Sequence, residues 1–563
     1  MSGLTCAAGV SAKDHDFRTD PGNLLLSRTV YDDNPANIAV GATLPPGCVP
    51  ATATGSTSNC VPAQYNGVFP FIFNNAPTDG SFGITSKILL DEMTPWGETI
   101  KTFEVPNNTT RGVTSISDQM VTSFSSKSEL ALNLSTDHKH VTFMGYLSPI
   151  DTLDVSNSNT PGVVDPTNPV TKAYYRVVAD LNTEGDLRFT ETNAYSGNNG
   201  RAAILYPTPQ GNLLFTAGNA GNGGNPQPNG ILLGAGAQGF AEATVPLVGQ
   251  TPLNPPTPVA SFNITELGLT HDKIGKDDNF RGMTIFNNVL YFTKGSGGNG
   301  IDTVYFVDTT GTDSNGKPLA CPNGVGLPTP GAALPTAPLA YDLATLQTSG
   351  LPSTMCVLNG FNAVLATTST NSFPFGLWFA NATTLYVADE GDGTNAYDTT
   401  KNVYTGAQAS TTAGLQKWVF NGTKWQLAYT LQNGLNLGVP YTGTGYPTGA
   451  NTYTVIKNHK LPTTPTTTTV TNPWSPATDG LRNLTGRVNR DGTVTIWAAT
   501  STVSGSGDQG ADPNQLVEIT DNLAATTLPA KESFETIRTA GFAEVLRGVS
   551  FTPGTDFSER HDD

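Results

Sequence analysis

Residues 374–393, PFGLWFANATTLYVADEGDG, decide how this chain folds. The runs 375-FGLWFAN and 384-TLYVADEG are short, apolar, and rich in aromatic and β-branched residues, which reads as two strands joined by a tight turn. Beyond the Gly/Asp loop follow 415-LQKWVF and then 425-WQLAYTL. The stretch predicts four antiparallel strands in succession.

Working outward, the same sentence recurs. Each copy opens with Arg or an aromatic, then a small residue and an apolar strand: 201-RAAILYP, 281-RGMTIFN, 482-RNLTGRV and 547-RGVSFTP. Strong second strands come next, 213-LLFTAGNAG, 289-VLYFTKGSGG and 493-TVTIWAATSTVSG, then third strands 231-ILLGAG, 303-TVYFVD and 515-QLVEITD, and a fourth such as 532-ESFETIR. Residues 129–190 give a further unit, with 129-ELALNL, 141-VTFMGY, 173-AYYRVVAD and 187-LRFTET. Helical periodicity is missing apart from a turn at 341-YDLATLQTSG. Repeated four-stranded units are the signature of a β-propeller.

The two ends of the chain complete each other. The N-terminus supplies 23-NLLLSRTVY, 87-KILLDEMTP and 100-IKTFEVP without a first strand, whereas 547-RGVSFTP has no successors. A C-terminal strand pairing with N-terminal ones closes the ring and leaves no open sheet edge. The fold class is therefore an all-β propeller of six four-stranded antiparallel blades. A seventh is the alternative count, begun by 111-RGVTSI or by a strand within 320–370. Residues 1–563 read as one propeller domain, with 1–22 an N-terminal extension, 32–80 and 310–370 loop insertions, and 556–563 a disordered tail.

Composition narrows the partners. Of 563 residues only 13% are charged, against about 25% in an ordinary soluble domain, and Gly (60) and Pro (40) are abundant. That disfavours a helical enzyme or a coiled coil. The net charge of −17 and the lack of any Lys/Arg cluster argue against nucleic acid and anionic membrane. No apolar run approaches the ~20 residues of a spanning helix, and the first residues lack the blocks of a signal peptide, so Met1 reads as a processed start. None of the five cysteines forms a CxxC pair. Cys48 with Cys60 and Cys321 with Cys356 each close a local loop, leaving Cys6 over. Two disulfides in an oxidising compartment are expected, with buried thiols as the alternative.

The segments 88-ILLDEMTPWGETIKTFEVP, 135-STDHKHVTFMGY, 374-PFGLWFANATTLYVADEG, 414-GLQKWVFNGTKWQLAYTL and 546-LRGVSFTP resemble a family of secreted or surface-exposed bacterial propeller proteins. That family carries an LDEYTP strand, an SxDGxxLTFxGY hairpin and a TLYVADxG hairpin in this order. The likeness spans about residues 20–555 and departs at 136-TDHKH, where the family has Asp-Gly. It implies the fold and an extracellular or cell-surface setting; it transfers no reaction and no catalytic residue.

Site candidates fall into two groups. Arg201, Arg281, Arg482 and Arg547 stand where innermost strands begin, so they would meet at one mouth of the central channel. There a guanidinium cluster could bind a ligand, or each Arg could tie its blade to the next. The loop of Asp389, Glu390 and Asp392 has the oxygen donors and glycines of a calcium loop without the usual spacing; a solvated acidic turn is the alternative. Asp91 and Glu92 alternate along one strand and so face opposite ways, which excludes a close acid/base pair. His138 and His140 sit in a first-to-second strand turn, hence on the face away from the arginines. Trp378, Trp418, Trp425 and Trp497 read as packing between blades more than as a sugar platform. GxSxG, HExxH, the P-loop and a strand-to-helix GxGxxG are missing, which disfavours serine hydrolase, zinc protease and nucleotide chemistry. The expected function is a secreted or cell-surface binding or scaffold module for a carbohydrate or protein at the channel mouth. The alternative is a calcium-dependent extracellular hydrolase or lyase acting there.

Overall fold

The computed structural model describes residues 17–31, 34, 43–44, 61–62, 83–113, 119–124, 126, 128–161, 170, 172–192, 194–219, 236–242, 260–262, 279–295, 300–307, 311–312, 318–319, 324–328, 355–366, 372–393, 395–398, 403–407, 410, 412–446, 450–457, 466–473, 476–503 and 512–557. Six sheets dominate, and the innermost strands of successive sheets pack side by side until the last meets the first, closing a six-bladed β-propeller. Blade 1 joins Glu544–Phe551 to Leu24–Val30, Thr85–Met93 and Thr99–Glu104. Blade 2 holds Asn133–Leu134, His140–Tyr146, Arg176–Asn182 and Leu187–Thr192; blade 3 holds Gly200–Thr208, Gly211–Gly218, Ala237–Ala241 and Ala260–Phe262. In blade 4, Met283–Phe286, Val289–Lys294, Thr303–Val307 and Met355–Leu358 are followed by a parallel edge strand, Val325–Gly326. Blade 5 is Pro374–Asn381, Thr384–Asp389, Gly414–Phe420 and Trp425–Leu431, and blade 6 is Ala477–Val488, Thr493–Val503, Gln515–Asn522 and Glu535–Thr539. Among the described residues no helix is long and apolar enough to cross a membrane.

Period-two alternation builds the core. Leu25 packs between blades 1 and 2, while its neighbours Leu24 and Leu26 pack between blades 1 and 6. Inner and second strands are thus apolar and buried on both faces, whereas outer strands such as Thr99–Glu104 stand exposed. The apolar mass lies between blades, with Trp497 the largest side chain fully buried in it.

The small residue after each opening Arg or aromatic has a steric reason. A Cβ on Gly282 would stand 2.1 Å from the Phe375 carbonyl oxygen, and one on Gly548 would stand 2.4 Å from that of Leu130. Inner strands of adjacent blades approach backbone to backbone at these points, which only glycine permits. The Asn287-Asn288 turn has φ values of 49° and 60°, the left-handed pair that a two-residue hairpin requires.

Ring closure follows the expected pairing, with Leu24 opposite Phe551 and Val30 opposite Glu544. Several details differ. The third strand of blade 3 is Ala237–Ala241, beyond the 231-ILLGAG run, whose residues 231–235 lie outside the described residues. The run 129-ELALNL does not form a long strand: Leu130 has a φ of 64°, and only Asn133–Leu134 pairs. Arg111–Val113 is a turn and starts no blade. Within the expected 310–370 insertion, Met355–Leu358 is the fourth strand of blade 4, with Cys356 fully buried on it. Cys6, Cys48, Cys60 and Cys321 lie outside the described residues.

Candidate functional site: a channel with one filled and one open end

The inner strands run from the arginine end of the channel to the hairpin end. At their start, Arg201, Arg281, Arg482 and Arg547 are only 4–6% exposed. Arg201 donates to the Phe280 carbonyl at 3.0 Å and to Asn279, reaching from blade 3 to the approach of blade 4. Arg547 donates to the Ser126 carbonyl at 2.7 Å and to the Phe124 carbonyl, both on the approach to blade 2. Arg482 of blade 6 lies 3.5 Å from Glu390 of blade 5. Arg281 donates to Ser128, which bridges blade 4 to the approach of blade 2, across the ring. Burial pulls the guanidinium pKa values of Arg201, Arg281 and Arg482 down; a neighbouring arginine adds to this at Arg201 and Arg281, and Glu390 opposes it in each. The arginines thus converge, and protein groups hold a terminal nitrogen of Arg201, Arg281 and Arg547, while Arg482 faces Glu390.

Sequence reading missed the hub of this end. Glu129 is fully buried and accepts from Thr122 Oγ1 at 2.7 Å, the Ser123 N–H at 3.0 Å, Asn199 Nδ2 at 3.3 Å and the Tyr146 hydroxyl. Burial raises its pKa against these hydrogen bonds. Thr122, Ser123, Ser126 and Ser128 gather at this end, and the small hydroxyl residues of 122–129 are the signal that could have marked it.

Asp389, at the end of its strand, is fully buried. One carboxylate oxygen accepts from Ser372 Oγ (3.1 Å), the Phe373 N–H (2.9 Å) and Gln416 Nε2 (3.1 Å), and the other from the Gly391 N–H (3.0 Å). Burial pushes its carboxyl up to about 6. Glu390 faces Arg482, and Asp392 sits on the exposed rim. Among the described residues no three His, Cys, Asp or Glu side chains converge as metal ligands.

The other end is open. A cavity of about 790 Å³ occupies the channel between the C-terminal halves of the inner strands. Its wall is apolar at Ile204, Ile285, Trp378 and Phe379, and polar at Asn133, Asn288 and Thr485. Trp378 lies flat against blade 6 because Gly486 has no side chain there; an added Cβ would come within 2.8 Å of the ring. His138 is at this rim, with a φ of 61° in the place where a glycine is easiest, and its ring meets Phe557 edge-on at 4.9 Å.

Nearby, between blades 2 and 3, His140 Nδ1 lies 2.9 Å from Asp180. Burial alone would lower the His140 pKa, but the hydrogen bond and charge of Asp180 outweigh it and raise it. Burial and the adjoining Asp180 carboxylate push Glu242 up to about 7. Asp91 and Glu92 do face opposite ways. Asp91 accepts from Arg28 and from Arg538 of blade 6, each at 2.6 Å, whereas Glu92 holds the Asp20 N–H at 2.8 Å and Asn23 Nδ2 at 2.7 Å. Comparison with protein-family models and with curated proteins finds no match for this chain.

Proposed function

We propose that the chain is a secreted or cell-surface binding module of the bacterial propeller kind it resembles, and that its ligand enters the channel from the hairpin end. A six-bladed propeller supports a binding or scaffold role in general. The observation that carries the finer reading is the 790 Å³ cavity, apolar-walled with a few convergent amides and hydroxyls, which suits a neutral carbohydrate or peptide chain end. The arginine mouth remains the second place for a ligand, which would compete there with the carbonyl partners of Arg201 and Arg547, the Ser128 hydroxyl on Arg281 and Glu390 beside Arg482. A hydrolase or lyase would need calcium on Asp389, Glu390 and Asp392, and the four hydrogen bonds on Asp389 compete with it. The extracellular setting goes with two disulfides: we assign Cys321 as the partner of Cys356, which is fully buried, and Cys48 with Cys60 as the second pair.

The test is binding of the full chain to an array of immobilised neutral oligosaccharides and to a matched array of extended peptides. Wild type should bind members of one array, and Thr485→Trp, which fills the channel, should abolish that binding while the exposed-surface variant Leu528→Ala retains it. Silence of wild type on both arrays, or undiminished binding by Thr485→Trp, refutes the reading.

A further inference from the structure

A second cavity, of about 350 Å³, lies in the crevice between blades 4 and 5 and shares no lining residue with the channel. Its size is at the lower end of the roughly 300–1,000 Å³ range of small-molecule sites. One wall is aromatic and rigid. Trp418 stacks on Phe361 with ring centroids 3.8 Å apart, and its Nε1–H donates to Gln416 Oε1 at 3.0 Å. Gln416 is itself fixed by donating to Asp389 at 3.1 Å. Leu427, nearly half exposed, forms the outer lip.

The other wall is polar and incomplete. Asp302 and Thr303 line the cavity and are 1% and 2% exposed. Lys294 Nζ holds one Asp302 oxygen at 2.7 Å, in an ion pair that is itself buried. The second oxygen, Oδ2, and the hydroxyl of Thr303 have no hydrogen-bond partner among the described residues. Buried polar atoms left unpaired are costly, which makes them informative about what completes the site.

The chemistry selects the ligand. Lys294 already offsets the Asp302 charge, so the site does not demand a cation, while the carboxylate and the net charge of −17 oppose an anion. A purely apolar molecule would leave Oδ2 and the Thr303 hydroxyl unpaired. A molecule offering O–H donors on one side and C–H surface to an aromatic ring on the other satisfies both walls. We propose that this crevice is a binding site for a small neutral polyhydroxylated molecule of pyranose size, held by Asp302 and Thr303 at its base and by Trp418 and Leu427 along its wall. The site stands independently of the channel reading.

The full chain would be titrated with methyl glucoside, methyl galactoside, methyl mannoside and myo-inositol, read by tryptophan fluorescence and by calorimetry. At least one should bind saturably. Thr303→Val, which keeps the shape and removes the hydroxyl, should weaken binding by about tenfold. Leu427→Arg, a surface change that closes the lip and spares the core, should abolish it, whereas Thr485→Trp in the channel should leave it unchanged. The proposal fails if none of the four compounds binds wild type, if folded Thr303→Val and Leu427→Arg both bind like wild type, or if only Thr485→Trp removes binding.

Discussion

Where the inner strands begin, Arg201, Arg281, Arg482 and Arg547 converge near Glu129 and Glu390, and carbonyls and side chains of neighbouring blades engage them. Where the same strands finish, Ile204, Ile285, Trp378 and Phe379 stand around a cavity of about 790 Å³. The strands are common to both ends, so the contrast arises from what each connection brings in. At the arginine end the segment entering blade 2 supplies carbonyls and Glu129. At the hairpin end tight turns such as Asn287-Asn288 return at once, and among the described residues His138 and Phe557 stand at the rim. Charge on the axis is thus spent on tying blades together, and ligand-sized space is left where the chain turns back quickly.

Several substitutions would break or sharpen that contrast, beginning with the largest effect. Arg547→Ala should destabilise the protein by about 3 kcal/mol, because the Phe124 and Ser126 carbonyls lose their donors in a buried setting. Chemical denaturation measures it, and a change below half of that would mean the arginine end is not a structural plug. Gly282→Ala should cost about 1–3 kcal/mol by forcing the blade 4 and blade 5 backbones apart; a neutral thermal midpoint would show that the inner ring yields more readily than its 2.1 Å approach implies.

Near the open end, acidity is the probe. The Glu242 and His140 pKa values are both raised in the folded state, so each contributes stability that is complete below its unfolded pKa and is lost as pH rises through the folded one. For Glu242 that window runs from its ordinary 4.5 to about 7, and for His140 it lies above 6.5. Stability should therefore fall between these limits, and Glu242→Gln, which mimics the protonated acid, should flatten the profile by on the order of 1 kcal/mol. A profile unaltered by Glu242→Gln would show that the Asp180–Glu242 contact does not titrate. The smallest effect is expected for Arg487→Ala at the cavity rim, within about 0.5 kcal/mol, in contrast to the arginines of the other end.

Much of the architecture was legible because strands buried on both faces leave strong local marks. The hairpin 375-FGLWFAN/384-TLYVAD and the pairing of 23–31 with 547–553 could be read directly. What blurred was any element whose form depends on a neighbour. The run 129-ELALNL looks like a strand, yet Leu130 bends to a positive φ where Gly548 presses against its carbonyl. In blade 3, the strand that pairs with the second one is Ala237–Ala241, a run less apolar than 231-ILLGAG. Among site residues the arginines were found as a recurrent group, whereas Glu129, Asp302 and Thr303 were not, since one acid or hydroxyl in sequence gives no sign of losing its water.

Alternation, turn chemistry and the Arg-Gly openings by themselves determined a ring of antiparallel blades closed by its own two ends, because these features act over a few residues and repeat. Only the tertiary structure decided which mouth of the channel is filled, which carboxylates lie buried, and where a crevice opens between blades 4 and 5. Those outcomes depend on segments far apart in the chain meeting in space, where burial strips water from polar groups and leaves their partners to be set by packing.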